Sequence, residues 1–310
     1  MGTPTVSPQP GNMEERQPPY GVILKALQTG NAVPFLGAGA SLLSEPNGVP
    51  LPSGSDLSEY LADQARFPST DRHDRNDLAK VTSYYVDVSG RKLLRQELRN
   101  KFIGENYKSN RLHRLLARVA DKTTIVTTNY DNLMEQAFAE IAKPYDVVVY
   151  PADNAEYANG VLWWHYGETE PKKFKPNEID IDDLGKTNVI YKMHGTVWPG
   201  SAAWDSFVIT EEDYVRFLSR INNAVPSAFR RHFSARQFLF LGYGLRDWNL
   251  RVLLKQVSVS GSVSWAIMRN PSLLDDTLWR RRNVDLYNVE LDAFVTEIER
   301  ELNRQCPPMV

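Results

Sequence analysis

The chain has 310 residues, with 36 basic and 38 acidic side chains, a formal charge of −2 and a single cysteine. A chain of this length buries about three quarters of its unfolded surface, so it needs no disulfide or metal staple, and its near-balanced charge excludes wrapping of nucleic acid by bulk electrostatics. Cys306 alone supplies neither an internal disulfide nor a four-thiolate zinc site, a usage that fits the cytoplasm.

Residues 1–19 are rich in proline and polar groups and lack an apolar h-region, so they read as a disordered tail rather than a signal peptide. No later apolar run approaches the length of a membrane span. Short β-rich runs follow at Val33–Leu36, Thr124–Thr127, Asp146–Tyr150, Val189–Met193, Gln237–Leu241, Ser264–Met268 and Val284–Tyr287. Most are apolar without alternation, as in strands covered on both faces. Helical stripes lie between them: Leu112, Leu115, Leu116 and Val119; Leu133, Met134, Ala137 and Phe138; Leu245, Trp248 and Val252; and Phe294, Ile298 and Leu302. This alternation predicts an α/β fold, a Rossmann-like and mostly parallel sheet with helices on both faces, over residues 20–305. Residues of about 42–120 are mostly helical in pattern and predict an insertion. Residues of about 151–188 are polar, contain Trp163 and Trp164, and read as a long excursion.

Three segments carry chemistry. In GAGAS the strand ends at Leu36 and turns through Gly37, Ala38 and Gly39, with Ser41 following. Glycines there let backbone N–H groups approach a pyrophosphate; the competing reading is a tight strand-to-helix turn capped by Ser41. A second glycine turn, LGYGLRDWNL, follows a buried strand and places Gly242, Tyr243 and Gly244 where an adenosine half would lie, with Asp247 better suited to capping the next helix. TTNYD brings Thr128, Asn129 and Asp131 to a strand end, and KMHG brings His194 to another. Ligands of open α/β sheets bind at such ends, although Asn129 and Asp131 are also favoured helix caps. The other four histidines, His73, His113, His165 and His232, read as structural.

GAGAS, TTNYD and the HG pair occur in the order and spacing of the sirtuin superfamily. With GVPLPSG (Gly48–Gly54), ITEEDY (Ile209–Tyr214) and GYGLRDWN (Gly242–Asn249), the chain most resembles the bacterial sirtuin-like branch of anti-phage defence, over about residues 21–300. The resemblance implies NAD⁺ as substrate, no metal, and cleavage to nicotinamide and ADP-ribose. The chain lacks the four-cysteine zinc module of the deacylases, the peptide-gripping strand pairing after HG and the aspartate-and-arginine cofactor loop. Protein deacylation or ADP-ribosyl transfer is the alternative activity, and a non-catalytic nucleotide sensor the third.

Nicotinamide leaves as a neutral amide, so this chemistry needs no general acid and no carboxylate pair of the glycosidase kind. Under the resemblance Asn129 orients water or the ribose hydroxyls, Asp131 holds the nicotinamide ribose or the Asn129 loop, and His194 is the general base. Gly37, Ala38, Gly39, Ser41, Thr128, Gly242, Tyr243 and Gly244 form the cofactor-binding set. A toxic NAD⁺ hydrolase needs restraint, so a homo-oligomer and a separate partner are expected: a HerA-type DNA-translocating ATPase, or else a short Argonaute-type or phage protein. The 151–188 excursion and the basic run Arg280–Arg282 are candidate contact surfaces, with solvated surface as the competing reading; direct nucleic-acid or membrane binding is not expected.

Overall fold

The computed structural model describes residues 16–43, 49, 51–103, 107–154, 156–157, 159–243 and 263–305. Cys306, Gly244, Asp247 and the stripe beginning at Leu245 lie outside the described residues.

Nine strands form one sheet among the described residues, in the order β11-β10-β9-β1-β2-β6-β3-β4-β5. In chain order these are β1 (Ala32–Leu36), β2 (Thr124–Thr127), β3 (Tyr145–Val149), β4 (Val161–Trp164), β5 (Lys172–Phe174), β6 (Asn188–Lys192), β9 (Gln237–Leu241), β10 (Ser264–Met268) and β11 (Val284–Asn288). A separate antiparallel pair, β7 (Gly195–Thr196) and β8 (Ser206–Phe207), sits beyond β6. The seven runs read as strands in the sequence all fall in the sheet, and from β11 to β3 every pairing is parallel. Their apolar composition follows from burial on both faces.

Helices α1 (Tyr20–Gln28), α6 (Arg111–Val119), α7 (Leu133–Glu140) and α12 (Leu291–Gln305) cover one face, burying Leu24, Leu112, Phe138 and Ile298 against Leu36, Ile125 and Leu239. The stripe from Leu112 to Val119 is therefore a sheet-covering helix and not a member of the inserted module. Helices α8 (Glu211–Ser219), α9 (Ile221–Ala224), α10 (Ser227–Ser234) and α11 (Leu273–Arg280) lie on the other face, with Phe217, Phe229, Phe233 and Trp279 in one core with Phe35, Val126 and Phe240. Among the described residues no helix is long and apolar enough to cross a membrane.

The 151–188 segment extends the sheet. β4 and β5 add antiparallel strands at its edge, and Trp163 and Trp164 are buried rather than offered to a partner. Trp163 Nε1 donates to Asp146 Oδ2 at 2.8 Å, and the same carboxylate binds His165 Nδ1 at 2.9 Å.

The inserted module is α2 (Gly54–Gln64), α3 (Arg72–Arg75), α4 (Leu78–Ser89) and α5 (Arg91–Phe102). Its core, which includes Leu57, Leu61, Val81, Tyr85 and Leu94, is shared with Tyr130, Val197 and Phe207. One edge is clasped by arginines at i, i+4 and i+8 of α5, which share a face of the helix. Arg91 binds Asp213 at 2.7 Å and Asp153 at 2.9 Å, Arg95 binds Asp153 at 2.7 Å, and Arg99 binds Asp205 at 2.9 Å. Burial works against the Arg91 charge, but Asp213 and Asp153 outweigh it and raise its pKa. Burial raises the Asp205 pKa despite Arg99. The clasp fixes the module over the carboxyl ends of β1, β2 and β6.

Candidate active site

β1 is flanked by β2 on one side and β9 on the other. The chain leaves β1 for β2 and later returns to its opposite side, which opens a crevice at the carboxyl ends of these strands. All the predicted site residues that are described (Gly37, Ala38, Gly39, Ser41, Thr128, Asn129, Asp131, His194, Gly242 and Tyr243) line one cleft of about 740 Å³ there. That volume lies within the usual range for small-molecule and cofactor sites, about 300–1,000 Å³. The module contributes Leu57, Leu78 and Phe102, and the far end of the cleft is formed by Met268, Arg269 and Glu290.

The glycine loop differs in one respect from the cradle expected of it. Gly37 N donates to Leu241 O at 3.0 Å, Gly39 N to Gly242 O at 2.8 Å and Ala40 N to Gly37 O at 2.9 Å. Three loop donors are therefore engaged by the protein, and the exposed member of the loop is Ala38. The glycines are required by contact between the two turns. A Cβ on Gly39 would stand 2.8 Å from Gly242 O, and one on Gly242, whose φ is +68°, would stand 2.0 Å from Ala40 N. Asn110 Nδ2 supports the loop from below by donating to Ala40 O at 2.7 Å. His113 is buried in the same capping box, a structural role.

The TTNYD loop is tied to this turn. Thr128 N donates to Leu36 O at 3.2 Å, and Thr128 Oγ1 lies 2.8 Å from Tyr243 OH. Asn129 Nδ2 donates to Gly37 O and to Ser41 Oγ, both at 3.0 Å. Both amide protons are thus committed, which leaves Oδ1 as the acceptor of that side chain. Ser41 Oγ in turn donates to Asp131 Oδ2 at 2.8 Å. Asp131 Oδ1 accepts from Leu133 N at 3.1 Å and so caps α7. Of the two roles considered for Asp131, the geometry favours holding the Asn129 loop, because both carboxylate oxygens serve protein donors. Asn129 does not cap the helix. Tyr130 turns away from this chain of contacts: its OH donates to Val208 O at 2.7 Å, and burial pushes its pKa well above the ordinary value.

His194 is 6% exposed and lines the same cleft. Its ring stands edge-to-face to Phe217 at 5.0 Å and to Tyr214 at 5.6 Å. The glycine after it is explained by the backbone. Gly195 has φ +92°, and a Cβ there would lie 2.1 Å from Ser206 O, so only glycine permits the β7–β8 pairing.

Sequence reasoning missed Lys192, which is fully buried. Its Nζ donates to Asp131 O and to Glu135 Oε1, the latter at 3.0 Å. The signal was present: a lysine ending the buried strand NVIYK needs a buried partner. Glu135, on the first turn of α7, supplies it.

A family profile described as "SIR2-like domain" matches residues 123–289. Similar proteins include the NAD(+) hydrolase ThsA of Enterococcus faecium, 29% identical over 235 residues, which are 75% of this chain and 41% of that protein. ThsA of Cytobacillus dafuensis is 27% identical over 236 residues, 76% of this chain and 40% of that protein. Defense-associated sirtuin 2 of Bacillus subtilis is 23% identical over 240 residues, 76% of this chain and 20% of that protein. The chain thus spans about two fifths of the length of the ThsA proteins it matches. A solved Sir2 enzyme structure is similar at a TM-score of 0.41 and 12% identity, covering 92% of this chain and 98% of that one.

Proposed function

The chain belongs to the SIR2-like domain family, and from that premise we propose that it is an NAD⁺ glycohydrolase, cleaving NAD⁺ to nicotinamide and ADP-ribose in defence against phage. One observation carries the reading. The Asn129 amide is locked by Gly37 and Ser41 in the cleft that His194 also lines. The names of the similar proteins, NAD(+) hydrolase and defense-associated sirtuin, agree with it.

In this reading the dinucleotide lies along the cleft, with its pyrophosphate against Ala38 and its nicotinamide ribose toward Asn129 and His194. The C1′–N bond breaks, and its electron pair passes to the pyridinium nitrogen, which leaves neutral. Water adds to C1′ and gives its proton to the His194 imidazole. Asn129 Oδ1 accepts a hydrogen bond from that water or from a ribose hydroxyl. Asp131 and Ser41 act as positioning residues, holding the amide rather than touching the sugar.

Activity confined to the cytoplasm and restrained by a separate partner completes the reading. A HerA-type ATPase is the partner proposed, with a short Argonaute-type or phage protein as alternatives, and a homo-oligomer is the assembly. The deciding experiment incubates pure protein with NAD⁺ and no peptide, with and without the candidate ATPase, and separates products by liquid chromatography. Free nicotinamide with ADP-ribose is expected. Turnover that requires an acyl-lysine peptide would overturn the proposal.

A further inference from the structure

His194 is placed by one short strip of chain, residues 207–213, which leads from β8 into α8. The strip holds its backbone: Val208 N donates to His194 O at 2.9 Å, and Gly195 pairs with Phe207 across β7 and β8. The strip also sets its ring, because α8 carries Tyr214 and Phe217, whose rings stand edge-to-face to the imidazole. The same strip reaches the loop of Asn129, since Tyr130 OH donates to Val208 O at 2.7 Å. Whatever fixes residues 207–213 therefore fixes the imidazole relative to the amide.

The inserted module supplies that hold. Arg91 is the first residue of α5. Its Nη2 donates to Phe207 O at 3.1 Å and to Asp153 Oδ2 at 2.9 Å, and its Nη1 donates to Asp213 Oδ2 at 2.7 Å. Asp153 Oδ1 in turn accepts from Phe207 N at 3.0 Å. Asp213 Oδ2 also accepts from Ile209 N at 3.2 Å and Thr210 N at 3.1 Å, in the capping box that starts α8. One guanidinium thus grips both ends of the strip. A planar fork can do this where a point-like ammonium cannot, and hydrogen bonds to an ionised partner are about twice as strong as neutral ones. Arg99, on the same face of α5, binds elsewhere: it meets Asp205 at 2.9 Å and Trp198 O at 3.1 Å, both before the strip.

We propose that Arg91 is a positioning residue for NAD⁺ cleavage: through Phe207 and Asp213 it fixes β8 and α8, and these hold the His194 imidazole in register with Asn129. It touches neither substrate nor base. The module is then more than a wall of the cleft, because its seating on the sheet sets the geometry of the base. The effect on cleavage rests on the NAD⁺ reading; the placement of the His194 ring by Arg91 does not.

The test compares Arg91→Met, Arg99→Met and the double variant Arg91→Met/Asp213→Asn in the full chain. Both arginine variants loosen the clasp, but Arg91→Met alone of the two releases the strip. Its kcat for NAD⁺ should fall about tenfold or more, as small misplacements of a catalytic group do, with KM within about threefold of the wild type. Arg99→Met should keep kcat within about threefold. The double variant removes the charge that Arg91→Met strands, and so serves if circular dichroism shows the single variant unfolded; its kcat should fall no further than that of the single. Histidine ring C–H signals in NMR spectra, with that of His194 identified by its loss in His194→Gln, give a second readout. The rings of Tyr214 and Phe217 face His194, so a displaced α8 should shift its signals in Arg91→Met and in the double variant, and not in Arg99→Met. Those of His113, on α6, should stay in place. Unmoved His194 signals in both Arg91 variants, equal movement in Arg99→Met, or an unchanged kcat would each overturn the proposal. A chain inactive on NAD⁺ would remove the cleavage reading, and the His194 signals would still decide whether Arg91 places that ring.

Discussion

Replacing Lys192 by methionine tests whether the catalytic loop is held from beneath. The ammonium has no solvent exposure, and its partner side chain is 10% exposed. Breaking a buried pair by removing one partner costs about 3–5 kcal/mol, because the other charge stays buried and uncompensated. Glu135 Oε2 has no partner among the described residues, so Lys192→Met would remove the one that its carboxylate has there, at Oε1. The Asp131 carbonyl loses its lysine donor as well. We expect a loss of about 4 kcal/mol, a large part of a typical domain stability of about 5–15 kcal/mol. Urea unfolding followed by circular dichroism reads it as a lower midpoint at constant slope. Adding Glu135→Leu removes the stranded charge, and should bring stability back to within about 2 kcal/mol of the wild type. NAD⁺ turnover should remain at least about tenfold down in the double variant, since the loop carbonyl stays unanchored, a barrier change of about 1.4 kcal/mol. A single variant costing under about 1 kcal/mol, or a double variant no better than the single, would refute the reasoning.

His194→Ala should lower NAD⁺ turnover by about 10²–10⁴, the usual contribution of a general base, and near-normal nicotinamide release would remove His194 from that role. Asn129→Ala should be similarly disabling while the chain stays folded, its stability lowered only by about 1–3 kcal/mol for the two lost hydrogen bonds, because Asn129 does not cap α7; an unfolded variant would contradict this. Gly242→Ala places a Cβ 2.0 Å from Ala40 N at φ +68°, so it should displace the glycine loop and abolish NAD⁺ binding by calorimetry. His232 is 2% exposed, and burial, with Arg236 nearby, lowers its pKa from 6.5 to about 4. The folded state refuses a proton that the unfolded state accepts, so the stability this group contributes is complete above pH 6.5 and is lost as pH falls toward 4. About 3 kcal/mol should disappear across that window, and His232→Gln should show a shallower dependence in urea titrations at stepped pH.

Local pattern made much of the fold legible. Strands such as Gln237–Leu241 and Val189–Lys192 are apolar runs bounded by polar turns, and Leu112–Val119 has unbroken helical spacing. The loops of the candidate site were legible because ligand-facing residues follow strand ends. Long-range geometry was not. That Gly39 and Gly242 touch depends on β1 pairing with β9, some 200 residues later, and nothing local to either turn reports it. Polar neighbours disguised Trp163 and Trp164 as surface, whereas the strand they occupy is closed over by β5 and by Trp198. The arginines of α5 drew no reading from the sequence, because their carboxylate partners lie 58 to 122 residues away.

The tension between capping and catalysis at TTNYD resolves by a division of labour. Asp131 spends one oxygen on Leu133 N and the other on Ser41, which transmits the rigidity of α7 to the glycine loop. Asn129 spends both protons on that loop, and Lys192 fixes the Asp131 carbonyl from below. The amide oxygen therefore has one orientation before any substrate arrives. A site that contributes no general acid gains most from such preorganisation, since positioning is the larger part of what it can supply. A cap that doubles as a tether is how a short strand-end loop of this kind can be made stiff.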